Sequence, residues 1–376
     1  MRSLWALDPD IAALNHGSFG ATPRAVLTAQ RRVRDRLESN PTEFFEDHYQ
    51  PELDAARTTL AAFLGTDPAG LAFVTNATTA VAAVVGSIEF DRGDEILITD
   101  HTYNACRNTV EVAAARAGAS VVVAALPFVG ASPESVAEGI LTKVTSRTRL
   151  VVVDHVTSPT ALVFPIERII SELEPHVPVL VDGAHAPGMI PLDLTRLGAS
   201  YYAGNLHKWV CAPKGAGFLV VAEHLRDQVR PTVISHGWNT ARDARSMFQR
   251  LFDWTGTFDP SAWLTVPDAI AFMASLDPAG WPGVMAANHG LALAARDLLG
   301  GRLGIDAPVP EEMIGSMAAL PLAGTRPGLA ERLRRQGIVA PIPPWPSAEH
   351  HLVRVSAQRY NTLDEYDRLA DAILAD

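Results

Sequence analysis

Val179-Leu-Val-Asp-Gly-Ala-His-Ala-Pro-Gly188 and the run that follows it, Ala199-Ser-Tyr-Tyr-Ala-Gly-Asn-Leu-His-Lys-Trp209, decide how the chain reads. Val179–Val181 is a short apolar run that predicts a buried strand delivering Asp182 at its end. Ala199–Gly204 is a second run, leading into Asn205-Leu-His-Lys208-Trp209. Pro213-Lys-Gly-Ala-Gly-Phe218 then reads as turn-rich. Open α/β sheets bind ligands beyond the carboxyl ends of their strands, where Asp182 falls. A lysine among aromatic and apolar neighbours can be desolvated enough to act as an amine nucleophile. The bland alternative stands beside this one: strand-ending acids are common, and most lysines are solvated surface charges.

Outward from that stretch, strands and helices alternate. Strands are predicted at 95–99, 120–125 and 149–154, and helices at 109–117, 133–143 and 166–174. Such a rhythm argues for an α/β protein with a mostly parallel sheet covered on both faces. The polar loops Asp100–Asn104 and His155–Ala161 follow strands and should gather on one sheet edge. Further upstream, amphipathic helices are predicted at 24–40 and 51–64, the second stopped by Gly65. A strand from Leu71 feeds Thr75-Asn-Ala-Thr-Thr79 and then an apolar helix. Free N–H groups at that helix start make a phosphate site, although Asn and Thr also cap helices that bind nothing. Beyond residue 225 the pattern is irregular, and Phe252–Pro260 is aromatic enough for a domain or subunit interface. Helices at 261–275, 284–299 and 363–374 and a strand at 352–356 complete an α+β remainder, with a boundary near residue 260.

Of the 376 residues 48% are hydrophobic and 19% charged, so a large core is readily supplied. The net charge of -11 argues against nucleic acid as the main partner. Cys106 and Cys211 are the two cysteines. They suggest neither a disulfide framework nor a zinc site, and Cys106 reads as an inert buried thiol. Charged residues and prolines interrupt the long apolar stretches, so the expectation is a soluble, cytoplasmic protein without a membrane segment.

Seven motifs carry a resemblance. They are Leu14-Asn-His-Gly-Ser-Phe-Gly, Thr75-Asn-Ala-Thr-Thr-Ala-Val, Asp100-His-Thr-Tyr, Val181-Asp-Gly-Ala-His-Ala-Pro-Gly, Tyr202-Ala-Gly-Asn-Leu-His-Lys-Trp, Trp254-Thr-Gly-Thr-Phe-Asp-Pro and Arg354-Val-Ser-Ala-Gln-Arg-Tyr-Asn-Thr. In this order the chain resembles fold-type I pyridoxal-phosphate enzymes of aminotransferase class V, and within them the isopenicillin N epimerase group. The resemblance implies a large cofactor-binding α/β domain over residues 21–260. A smaller α+β domain would combine residues 1–20 with 261–376. Lys208 would carry pyridoxal 5'-phosphate in Schiff-base linkage and act as the base at the substrate Cα. Asp182 would hold the pyridine nitrogen protonated, so that the ring drains electrons from Cα. Ala77, Thr78, Asn205 and His207 would bind the phosphate, with Asn205 standing where many relatives have Ser. His185, and Ser158 in place of a common Asn, would lie near the phenolic oxygen. Tyr103 would stack on the ring, with His101 as its competitor. Gly256 and Thr257 would serve the phosphate of a second subunit, making the unit a homodimer with shared sites. Arg354 would grip the substrate carboxylate. His16 is placed with the substrate, loop hydrogen bonding being its alternative.

The resemblance fixes acidity at Cα and not the outcome. The desulfurases of this class carry a mobile cysteine before the carboxylate-binding strand, and Gly337–His351 contains none. Two enzyme readings remain: an epimerase or aminotransferase acting on an amino-acid-bearing small molecule, and a β-eliminating C–S lyase acting on a cysteine S-conjugate. A cofactor-binding protein without catalysis is the third.

Overall fold

The computed structural model describes residues 1–174, 176–240 and 245–375. Its strands, in chain order, are β1 (Ala12–Ala13), β2 (Leu71–Val74), β3 (Glu95–Thr99), β4 (Ser120–Ala124), β5 (Thr148–Asp154), β6 (Val179–Gly183), β7 (Tyr201–Asn205), β8 (Gly217–Val221), β9 (Met317–Leu322), β10 (Ile338–Val339) and β11 (His351–Ser356). Seven of them form one sheet in the order β2-β8-β7-β6-β5-β3-β4. β8 alone runs against its neighbours; β3 to β7 are parallel where they pair.

The apolar runs explain why the sheet is covered twice. Successive strand residues point to opposite faces. Val151, Val153, Val179 and Val181 accordingly enter one core, and Leu150, Val152 and Leu180 the other. Helices Ala77–Ser87, Asn104–Ala117, Pro133–Leu141 and Ile166–Leu173 occupy the crossovers. Each parallel strand therefore ends at the same edge, where the loop carrying Tyr103 meets the strand-end residues Asp154, Asp182 and Asn205.

β9 and β11 pair antiparallel beside helices Trp281–Leu303 and Leu363–Leu374. β1 pairs in parallel with β10, so the first residues of the chain lie with its last third.

Several boundaries differ from the sequence reading. The helix expected from residue 109 starts at Asn104, and its first turn, Asn104-Ala-Cys-Arg107, buries only Cys106 and so shows no apolar period. The helix expected over 261–275 is divided into Ser261–Leu264 and Val266–Ala274, with Pro267 in the second one's first turn. The turn-rich run from Pro213 flows into β8. A Cβ on Gly217 would come within 2.8 Å of Asn76 Cα, so this glycine lets the strand pass the helix start. The aromatic segment packs within the chain: Trp254 lies against Phe45 and Tyr49, and Phe258 against Trp263. No helix among the described residues is long and apolar enough to cross a membrane.

Candidate active site

At the convergent edge lies a cavity of about 460 Å³ lined by Thr78, Tyr103, Asp154, Asp182, His185 and Lys208, among others. Lys208 follows β7 directly, and its backbone is pinned from the N-terminal loop. His16 Nε2 donates to the Lys208 carbonyl at 3.0 Å, and Nδ1 accepts from the Tyr360 hydroxyl at 3.0 Å. Gly20, at φ 68°, passes so close that a Cβ there would strike the His207 carbonyl. His16, expected at the substrate, thus braces Lys208 from behind and is not among the residues lining the cavity. Burial drives its pKa down to about 3, in keeping with a neutral ring.

The Lys208 side chain keeps contact with the cavity, yet desolvation of its amine lowers the pKa to about 8. Asp182 opposes that effect and Arg354 adds to it. Lys208 Nζ is 3.2 Å from His185 Nε2, and Trp209 Nε1–H points at His185 Nδ1 from 3.5 Å. Burial, reinforced by Lys208, holds His185 well below its ordinary value. The Trp209 N–H places the His185 proton on Nε2, which can donate to the Lys208 amine once that amine has lost its proton, above a pH of about 8.

Asp182 is the last residue but one of β6, and both its oxygens are held. Oδ1 accepts the Ala184 amide at 3.0 Å and Oδ2 the Cys106 thiol at 3.1 Å. Its register partner on β5 is Asp154, buried, lining the same cavity and with Oδ2 unpartnered. Burial and then the Asp182 charge push the Asp154 carboxyl well above the usual range.

On the opposite wall, helix Ala77–Ser87 begins with Asn76 capping the Thr79 amide at 2.9 Å. Asn205 Oδ1 accepts the Ala77 amide at 2.8 Å. The expectation that Ala77 serves an anion therefore meets a competitor, and among the described residues the Thr78 amide has no protein acceptor. His207 lines this wall; its Nδ1 donates to the Ala216 carbonyl at 3.1 Å, and burial lowers its pKa to about 4.

Tyr103 is 45% exposed and lines the cavity. Its competitor His101 is fully buried, bonded to Thr160 Oγ1 at 2.7 Å and the Leu126 carbonyl at 3.2 Å. Arg354 is buried on β11. It donates to the Ser158 carbonyl, to Ser158 Oγ at 3.3 Å, to Ser18 Oγ at 2.9 Å and to Asn15 Oδ1 at 3.1 Å. Among the described residues no carboxylate pairs with it, and desolvation brings its pKa down to about 10. Ser158 thus holds Arg354 as well as lining the cavity. Gly256, at φ 124°, and the exposed Thr257 lie outside the cavity lining.

The donor set fits pyridoxal phosphate. It offers a desolvated amine, a fixed carboxylate across from it, a helix start for an anion and an unpaired guanidinium. Sequence reasoning missed Asp154, Ser18 and Asn15, and gave Cys106 no role. A strand-terminal acid in Val151-Val-Val-Asp154 was the available signal for the first of these.

A fold and site of this kind define a cofactor-dependent α/β enzyme. The aminotransferase class-V model matches residues 20–369. The isopenicillin N epimerase of Streptomyces clavuligerus is 35% identical, over 99% of this chain and 96% of its own length. A putative L-cysteine desulfhydrase of Oryza sativa subsp. japonica is 31% identical, over 97% and 84%. The solved cystine C–S lyase C-DES has the same fold, with a TM-score of 0.81 at 21% identity, covering 97% of each chain. The chain belongs to the aminotransferase class-V family, whose members are pyridoxal-phosphate enzymes.

Proposed function

We propose that this chain acts at Cα of an amino-acid-bearing small molecule, as an enzyme of the isopenicillin N epimerase type. The observation that carries the reading is the desolvated Lys208 amine, set across one cavity from Asp182, with the unpaired Arg354 at its margin.

Bound pyridoxal phosphate, linked through Lys208, would supply the electron sink that makes Cα–H acidic. Asp182, steadied by Ala184 and Cys106, gives the anion for the pyridine nitrogen. The Thr78 amide, the free Asn205 NH₂ and His207 serve the phosphate. Tyr103, in the cavity lining, would cover one ring face. Arg354 takes the α-carboxylate in its planar fork, which orients Cα–H toward Lys208. With a pKa near 8, the Lys208 amine can both take and return that proton around neutral pH. Ser158 holds Arg354 in place. We infer a homodimer in which Thr257, left exposed on its own chain, reaches the second protomer's phosphate site. A cytoplasmic location accords with two buried free cysteines.

The desulfhydrase relative favours a second outcome, β-elimination from a cysteine derivative. Incubation of the loaded enzyme in deuterium oxide separates the two. Deuterium at Cα with loss of optical purity marks epimerisation; pyruvate from S-substituted cysteines marks the lyase. Neither signal across a broad amino-acid panel overturns the proposal.

A further inference from the structure

A second cavity, of about 760 Å³, opens from the first past Ser18, Tyr103 and Ser158. Arg354 belongs to its lining, so a substrate held there by its α-carboxylate has this annex beside it. One wall is stiff and apolar: Pro341, Pro343, Pro344 and Pro346 surround Trp345. That indole is seated against His101 at 4.7 Å and Phe128 at 5.6 Å between ring centroids. Proline has no backbone N–H to leave unsatisfied and little freedom to lose, so the wall suits a methylene chain. The same lining carries Arg107, whose Nη2 donates to the Thr99 carbonyl at 3.1 Å. No carboxylate among the described residues lies within ion-pair distance of its guanidinium. The one acid among the described lining residues, Asp100, accepts the Leu126 amide on Oδ1 at 3.0 Å and forms no ion pair with Arg107.

We infer that this annex is the side-chain subsite, and that it selects amino acids whose side chain ends in a second carboxylate, recognised by Arg107 across the Pro341–Pro346 wall. The inference rests on the proposed reading of Arg354 as the α-carboxylate anchor. Two cationic forks at two places along one channel match a substrate with two anionic ends and an apolar linker.

The test titrates the pyridoxal-phosphate-loaded enzyme by calorimetry with L-glutamate, L-2-aminoadipate, L-norleucine and L-lysine, alongside Cα–deuterium exchange with each. A carboxylate-ended chain should bind at least tenfold more tightly than norleucine, and lysine most weakly. Arg107→Gln should bring that ratio to near one, whereas Arg107→Lys should keep part of it. Thermal unfolding of both variants checks that the fold is retained. Equal affinity for the carboxylate and methyl ends, a preference for lysine, or a ratio unchanged in Arg107→Gln would each overturn the inference, while exchange with any of the four would leave the Cα chemistry standing. Absence of both binding and exchange for all four would overturn this inference, and the underlying reading falls with it if the broad amino-acid panel also gives neither signal.

Discussion

The Cys106 thiol lies 3.1 Å from Asp182 Oδ2, on the side of the carboxylate opposite the Ala184 amide. Burial first, then the Asp182 charge, pushes the thiol pKa far up, so Cys106 stays protonated and acts as a donor. Removing it leaves a buried carboxylate oxygen unsatisfied beside Asp154, itself short of a partner. Cys106→Ala should therefore lower stability by about 1–2 kcal/mol and weaken retention of pyridoxal phosphate. Cys106→Ser, which restores a donor, should recover much of the retention. Denaturant unfolding and cofactor release by dialysis read both effects; an alanine variant that holds the cofactor as firmly as the parent would assign Cys106 to packing alone.

The depressed Lys208 pKa has two consequences for the cofactor-free protein. The sign follows from proton counting. Between about 8 and the ordinary 10.5 the unfolded chain binds the proton and the folded one does not. Stability therefore rises with pH across that window, and the charged-amine penalty is fully present below pH 8. The difference amounts to roughly 2–3 kcal/mol once water in the cavity is allowed for. Lys208→Met should remove that slope. Loading of pyridoxal phosphate should also accelerate through an inflection near pH 8, measured by absorbance; an inflection near 10.5 would mean an ordinary solvated lysine.

Arg354 has no carboxylate partner among the described residues. Glu365, on the following helix, pairs with Arg2 at 2.9 Å and accepts from Asn361 at 2.8 Å. Arg354→Lys keeps the charge but loses the two parallel donors, so substrate affinity should fall by about 2–3 kcal/mol. The lysine must also give up bonds to Asn15, Ser18 or Ser158, and melting temperature should move by a few degrees only. A variant that loses stability while binding substrate normally would make Arg354 a structural residue.

For the shared-site dimer, verified mixed dimers of Lys208→Ala and Thr257→Ala chains should regain activity that neither parent shows at that level. Each mixed dimer would hold one site with both residues intact. No recovery from folded chains would place Thr257 outside the phosphate site.

The parallel core was legible because its strands are near-continuous apolar runs, and Val179–Val181 and Val151–Val153 carry that signature without ambiguity. Asp182 and Lys208 were legible because their position at strand ends follows from the same pattern. Less was visible where chemistry depends on long-range approach. The grip of His16 on the Lys208 carbonyl joins residues 192 apart, and nothing in either local segment announces it. Asn205 was expected at an anion, but its Oδ1 is spent on the Ala77 amide, a cross-element contact invisible to spacing. β8 was hidden by Pro213–Gly217, whose turn residues mask the strand they introduce. The split at Thr265 was signalled by Pro267, which a count of apolar residues alone passes over.

The central claim is that Lys208 carries the cofactor, and the chain offers only two rivals, Lys143 and Lys214, both exposed. Pyridoxal phosphate added to the purified protein should give visible absorbance, and borohydride reduction followed by peptide mapping should fix the label on Lys208. A stoichiometric label on Lys143 or Lys214, or a protein that takes up no cofactor while folded, would contradict the account.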